Sequence, residues 1–470
     1  LKQKASKKVR VMTRLFCVPV LIVLLGVCVV PVIGQDDQSV NEIEDSWKHL
    51  SRRSIDGIVA ALRMTQEPDD VVAFLQDHLV TVEMNEEKFA RLLEDLSSDD
   101  EATWENAYRE FEYHDPRLLD DIEVVFERAP RNPAHNRMAG ILSNFPLTSF
   151  KDEHMQSQFF GAPVVLDRSA TTGHYRFVRN GPAGRSTSWS ARYDLSDWEN
   201  GPGWQRKTDW NRAVRAILVL DQINTPAAQQ VIERIASGHE KAPPTVTARR
   251  VLDDSKSNGE PGLSDCWDRL MSPGNEAIVA ALNMAGRPDE TVEFLANVLE
   301  PVELSEMQFN SLVTELGSDD EATWQSAFGE LKFRDPRLLN DIESILASVP
   351  HNPERLRMIG VLSGWTLETL YDRDAKFDDE EEIRWSRLDE EQIRFEVGDE
   401  TWVIWAKPSR QLFLNAAIKP QWKRVADAVA VLERIGSLQA ISLIEDIAAG
   451  DEDAPTTSLA KQVLARIGDR

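Results

Sequence analysis

Cysteine is scarce in this chain, with three in 470 residues. Cys17 and Cys28 lie in one apolar run near the N-terminus, which leaves Cys266 as the lone thiol of the rest and excludes an internal disulfide there. Stability must then come from packing. No histidine lies within 26 residues of Cys266 and no motif surrounds it, so it reads as a small buried or linker residue rather than a nucleophile. Positive charge is short as well: 53 lysines and arginines stand against 79 aspartates and glutamates, a net charge of -26. Six of the cations (Lys2, Lys4, Lys7, Lys8, Arg10, Arg14) fall in residues 1–34, which hold no anion, so the remainder carries 47 - 79 = -32. A body of that sign repels a phosphate backbone and has no basic stripe to offset it, so nucleic acid is not an expected partner.

The apolar run from Leu15 to Gly34 follows a basic lead and ends abruptly at Gln35-Asp36-Asp37, the grammar of an export signal. Cleavage between Gly34 and Gln35 is the expectation. The other reading is an uncleaved anchor formed by residues 15–34, whose length just suffices to cross a bilayer. Either way the body is expected outside the cytoplasm, periplasmic or secreted, with membrane contact only through that segment.

Self-comparison is the most informative step. Residues 47–143 align with 267–363 at a constant offset of 220 and no gap, with 45 identities in 97 positions. The run Ser98-Asp99-Asp100-Glu101-Ala102-Thr103-Trp104 returns at 318–324, and Asp115-Pro116-Arg117-Leu118-Leu119 at 335–339. A second alignment, at offset 212, pairs Trp210–Leu252 with Trp422–Leu464. This is an internal duplication. The implied domains are a signal or anchor at 1–34, a first copy at 35–254, a linker at 255–265 and a second copy at 266–470. Each copy holds an insertion, about 146–209 and 366–421.

Within a copy the apolar spacing is helical: Phe89, Leu92, Leu93 and Leu96 form one stripe, and Leu118, Leu119, Ile122, Val125 and Phe126 another. Helix starts carry polar markers. Ser98 with Glu101 fits a capping box, Asp115-Pro116 fits an N-cap followed by N1, and Asn132-Pro133 repeats that grammar. Short helices joined by tight turns in tandem point to a mainly α fold, a duplicated α-solenoid or stacked helical hairpins.

The pattern Trp47, Leu50, Ala60-Ala61-Leu62, Pro68, Phe74-Leu75, Leu79 and then residues 92–111 resembles the HEAT-like helical blocks that accompany β-propeller repeats in large planctomycete-type bacterial proteins. Ala213–Leu252, with Thr225-Pro226-Ala227-Ala228 opening a helix, resembles the terminal hairpin of those blocks. The resemblance implies a scaffold or interaction module and transfers no catalytic residue. Propeller blades are absent here, and the insertions depart from the pattern.

In the insertions the period changes to two. Ile393, Phe395 and Val397 alternate with Arg394 and Glu396, Gly398-Asp399 supplies a turn, and Thr401–Ala406 reads as a partner strand; Tyr175–Val178 and Trp189–Tyr193 read alike. Small antiparallel meanders follow. They are rich in tryptophan: Trp189, Trp198, Trp402 and Trp405 are the candidate ligand contacts, Trp204 and Trp385 lacking a strand or turn context. Exposed rings would stack on sugar or peptide; buried ones would fill a small β core.

Chemistry has little else to stand on. The eight histidines are scattered and none falls opposite a histidine in the other copy; HExxH, CxxC, a phosphate-cradling glycine loop and GxSxG are all missing. The acidic cluster at 98–101 lacks the glycine turn and spaced oxygens of a calcium loop. No enzymatic activity, cofactor or metal is expected. The favoured function is an exported scaffold binding an unidentified envelope or extracellular protein; the rival is a carbohydrate or envelope-polymer binder using the aromatic insertions.

Overall fold

The computed structural model describes residues 36–130, 133–151, 164–168, 175–180, 186–191, 198, 207–254, 261–349, 353–374, 383–389, 391–397, 400–407 and 419–468. The fold is mainly helical with two small antiparallel sheets. Helices α1 (Asp36–Leu50), α2 (Ile55–Met64), α3 (Pro68–His78), α4 (Glu86–Leu96) and α5 (Glu101–Tyr113) come first, then a 3₁₀ turn (Pro116–Leu118), α6 (Ile122–Arg128), α7 (Ala134–Leu142) and α8 (Leu147–Phe150). Strands β1 (Val164–Arg168), β2 (Tyr175–Asn180) and β3 (Ser186–Ala191) lead to α9 (Thr208–Ile223), α10 (Pro226–Ala236) and α11 (Pro243–Asp254). The same order returns as α12 (Leu263–Arg269), α13 (Asn275–Ala285), α14 (Pro288–Val298), α15 (Glu306–Leu316) and α16 (Glu321–Arg334). A second 3₁₀ turn (Pro336–Leu338), α17 (Ile342–Ser348), α18 (Glu354–Ser363) and α19 (Leu367–Asp374) follow, then β4 (Arg384–Arg387), β5 (Gln392–Val397) and β6 (Glu400–Trp405). Helices α20 (Pro420–Ile435), α21 (Leu438–Ala448) and α22 (Pro455–Gly468) close the chain.

Local chemistry explains the helix starts. Thr225 accepts a hydrogen bond from the Ala228 N–H with Pro226 at the first helical position, and α10 then buries Val231, Ile232 and Ile235. The expected Ser98 cap of α5 is wrong by two residues. Asp100 caps the helix, its carboxylate accepting the Thr103 N–H at 2.9 Å and the Thr103 hydroxyl at 2.6 Å, while Ser98 Oγ accepts the Asp100 N–H. Asp320 and Ser318 repeat this before α16. A charged acceptor at the positive end of a helix outcompetes a hydroxyl, which is why the aspartate takes the cap.

One core joins the two halves. It is built from α1–α3 and α9–α11 together with α12–α14 and α20–α22, and Leu50, Ala61, Ile217, Leu270, Ala281 and Val429 are buried within it. At its centre α2 packs on α13, α2 on α20 and α13 on α9, so the contacts between halves are reciprocal. Full burial of each Leu or Ile adds about 1.5–3 kcal/mol. Two peripheral lobes flank this core. The first joins α4–α7 to β1–β3 through Phe89, Phe111, Phe126 and Phe177; the second joins α15–α19 to β4–β6 through Phe309, Phe328, Phe395 and Ile404.

Both sheets are simple meanders, ordered β1-β2-β3 and β4-β5-β6. Phe177 pairs with Leu166 on one side and Trp189 on the other, and Phe395 with Trp385 and Trp402. Helices α8 and α19 and the first two residues of α9 and α20 fall inside the ranges given to the insertions, and α12 starts at Leu263, inside the range given to the linker. One expectation needs correction. Trp385 has a strand context after all, in β4. Gly34, Gln35, the Gly398-Asp399 turn and Asn132 lie outside the described residues. Among the described residues no helix is long and apolar enough to cross a membrane.

Candidate functional site

The repeated Asp-Pro-Arg motif turns each insertion back onto its helices. Asp115 begins the first 3₁₀ turn, accepting the Arg117 N–H, and its carboxylate also receives the Arg117 guanidinium through Nε at 2.9 Å and Nη2 at 2.6 Å. Lys207, the residue before α9, adds its ammonium at 2.5 Å and donates to the Glu112 carbonyl. The second half repeats the cluster: Arg337 Nε and Nη2 reach Asp335 at 2.8 and 2.7 Å, and Lys419 lies 3.1 Å away. All six side chains are buried. Burial alone would raise the two carboxyls, yet the adjacent cations hold both well below the usual carboxylate range. Desolvation lowers Lys419 to about 8, against the pull of Asp335. The sequence reading found the cap function of Asp115 and missed the ion cluster. Its signal was present, because Asp115, Arg117 and Lys207 all recur at the two repeat offsets.

The halves differ in the residue beside the arginine. Arg117 Nη2 also donates to the Asn144 side chain at 2.8 Å. Asn144 has φ 54, and its aligned partner is Gly364, with φ 73. Both residues suit the left-handed end of a helix, but glycine has no side-chain amide to offer. Arg337 donates through Nη1 to the Trp405 carbonyl at 2.8 Å, so the buried cluster clamps the end of β6.

That clamp supports an outward-facing surface. Val403 and Trp405 alternate with the inward Ile404 and are 48% and 37% exposed; Leu388, just beyond β4, is 41% exposed. Of the three candidate tryptophans whose side chains are described, Trp405 is the one presented to solvent. Trp402 faces the other way, 5.2 Å from Trp365 and stacked at 6.3 Å on Phe395, with the Arg373 guanidinium 5.1 Å over its ring. Trp198 packs partly buried against the first-lobe core. Trp189 pairs with Phe177 in register, and its side chain lies outside the described set. Trp385, which the sequence reading set aside, is 41% exposed on the edge strand.

Buried charge also marks the seam between the halves. Arg215 of α9 donates to the Leu50 carbonyl at 2.8 Å and to the Arg52 carbonyl, and reaches Asn275 of the second half at 3.0 Å. Gly57 makes room for it, since a Cβ there would stand 2.1 Å from the Arg52 carbonyl oxygen and 2.9 Å from Arg215 Nη1. In the second half Lys423 donates to the matching carbonyl, that of Leu270, at 2.7 Å and pairs with Asp427 at 2.5 Å. Position 427 aligns with 215, so the cation has moved one helical turn. Desolvation raises Asp427 to about 6 despite Lys423.

Three of the described histidines pack against their neighbours. His78 stacks on Phe74 at 3.8 Å, and His135 lies 3.9 Å from Phe126. His114, buried at the end of α5, accepts the Glu83 N–H on Nδ1, and desolvation lowers it to about 4. Among the described residues no group of three or more His, Cys, Asp or Glu side chains is placed to hold a metal ion. Comparison with family models, with curated proteins and with solved structures gave no match.

Proposed function

We propose that this protein is an exported, non-enzymatic interaction scaffold, in which two HEAT-like copies produced by duplication form stacked helical hairpins and the second meander meets a protein partner of the envelope or extracellular space. The observation that carries the reading is the outer face of that meander. Val403 and Trp405 stand exposed on a strand whose end is tied by Arg337 to a buried ion cluster. A large ring held on a rigid support loses little entropy on binding, the property that makes tryptophan an interface anchor. Arg394 and Gln392 flank the two side chains in register and would form a polar rim. The HEAT-like resemblance and the stacking of consecutive helices, α1 on α2, α4 on α5 and α10 on α11, support the scaffold side of the reading.

The rival, an envelope polysaccharide stacking on Trp405, is separated by one experiment. The protein and its Trp405→Ala and Val403→Ser variants are applied to an envelope extract and to a glycan array. A single protein retained by the wild type and lost by both variants supports the scaffold reading. Glycan binding lost with Trp405→Ala alone overturns it in favour of the polymer. N-terminal sequencing tests export: a start at Gln35 supports cleavage, and a membrane-pelleted product retaining residues 15–34 replaces cleavage by anchoring.

A further inference from the structure

The contacts between halves are reciprocal, but the two seams are not chemically alike. On one side α1 and α2 face α22 across a cleft of about 200 Å³. Its polar wall carries His49, Arg52, Arg63 and Arg466 together with Asp45, Asp56 and Ser46. At the aligned positions of the other seam stand Arg269, Ser272, Asn283 and Asp254, so three guanidinium groups on this side face one guanidinium and an added carboxylate on the other. In a chain of net charge -26, that concentration of guanidinium is local and one-sided.

Most of this positive charge is answered within the cleft. Arg52 lies 3.3 Å from Asp56, His49 3.4 Å from Asp45, and Arg466 holds Glu433 through two bonds of 3.1 and 2.8 Å. Arg63 is the exception: among the described residues it has no acidic partner, and its side chain is exposed. The remaining wall is apolar, from Ile55, Val59 and Leu459. An unanswered fork of donors beside an apolar wall matches a carboxylate carried on a short apolar body. The volume is below the roughly 300 Å³ at which drug-sized sites begin, which restricts that body to a small one.

We infer that this cleft binds a small organic acid, its carboxylate on Arg63 and its apolar part against Val59 and Leu459. The inference goes beyond the scaffold reading and does not rest on it. Benzoate is the probe, titrated into the full chain by calorimetry with saturation-transfer NMR as a second readout. The expected result is one saturable site per chain. Arg63→Asn, which installs the residue of the other half, should weaken it at least about fivefold, and Arg63→Lys should fall between because the ammonium keeps the charge and loses the fork. Thermal unfolding of both variants should match the wild type, as Arg63 is exposed. Absence of saturable binding up to about 20 mM, close to the weakest affinity such titrations resolve, overturns the inference, as does unchanged affinity in Arg63→Asn. Inorganic phosphate binding as tightly as benzoate removes the organic-acid assignment, because phosphate makes no use of the apolar wall.

Discussion

The first and second halves hold the same aspartate between the same arginine and lysine, yet the residue beyond the guanidinium differs: Asn144, whose side-chain oxygen accepts from Arg117, stands where the second half has Gly364. The shared part is the part that electrostatics makes costly to lose. A buried carboxylate between two buried cations tolerates no single deletion, whereas the outer bond of the guanidinium needs only some acceptor. The halves differ at the Asn144 and Gly364 position beside that outer bond, and in the second half Arg337 also ties the cluster to the exposed strand through the Trp405 carbonyl. The comparison thus separates what keeps each lobe folded from what distinguishes one lobe from the other.

The largest effect tests the shared part. Asp115→Ala and Asp335→Ala each leave an arginine and a lysine buried without their anion, and each should cost about 3–5 kcal/mol by urea denaturation. Both carboxyls are depressed in the fold, so their stabilisation is present above the unfolded carboxylate pKa near 4 and is lost as pH falls below it. A large loss in one half alone would break the equivalence.

A second test uses a position where the halves differ, His114 against Arg334. His114 is lowered to about 4 in the fold. A depressed group contributes stability that is present above its unfolded value near 6.5 and lost as pH falls through the folded one, here on the order of 3 kcal/mol between pH 6.5 and 4. Asp427 acts in the opposite sense. Its folded value is raised to about 6, so its contribution is full below pH 4 and is lost as pH rises through 6, on the order of 3 kcal/mol. The two windows overlap and partly cancel in the intact chain. Glu112, raised to about 7 by desolvation, acts in the same sense as Asp427. His114→Gln should therefore reveal stability that increases as pH falls from 6 to 4, and a flat profile in that variant would remove both carboxyls as opposing groups.

The seam gives a sharper version of the same comparison. Lys423→Asn with Asp427→Arg transplants the first-half pattern, but Ala277 occupies the position aligned with Gly57, where a Cβ meets the Arg52 carbonyl oxygen at 2.1 Å. The double variant should lose about 2 kcal/mol through overpacking, and adding Ala277→Gly should recover at least half of it. Recovery without the glycine would show that the two seams accommodate a guanidinium differently.

Much of this molecule was legible as local grammar. Thr225-Pro226 announced α10, the alternation around Phe395 announced β5 and β6, and the repeat offsets announced the returning element order. What escaped depends on partners far apart in sequence. Lys207 reads as a surface lysine until the fold brings it, 92 positions on, to Asp115. Strand β4, Arg-Trp-Ser-Arg, is exposed along its length and shows no apolar alternation, so Trp385 gave no strand signal. The orientation of Trp402 against Trp405 is a parity question, settled by which residues of β6 meet Trp365 and Phe395.

The smallest effect concerns the helix starts, where the sequence reading chose the wrong residue. Ser98 and Ser318 each receive one N–H inside a tight turn, while Asp100 and Asp320 each receive two bonds from the threonine three residues on. Asp100→Ala and Asp320→Ala should therefore lower the thermal midpoint more than Ser98→Ala and Ser318→Ala, and by equal amounts in the two halves because the geometry is the same to within 0.1 Å. Asp100→Asn keeps the acceptor and removes the charge, so it should recover most of the loss at high salt and less at low salt, where the helix dipole is unscreened. Equal losses at the serine and the aspartate would return the cap to the capping box that the sequence suggests.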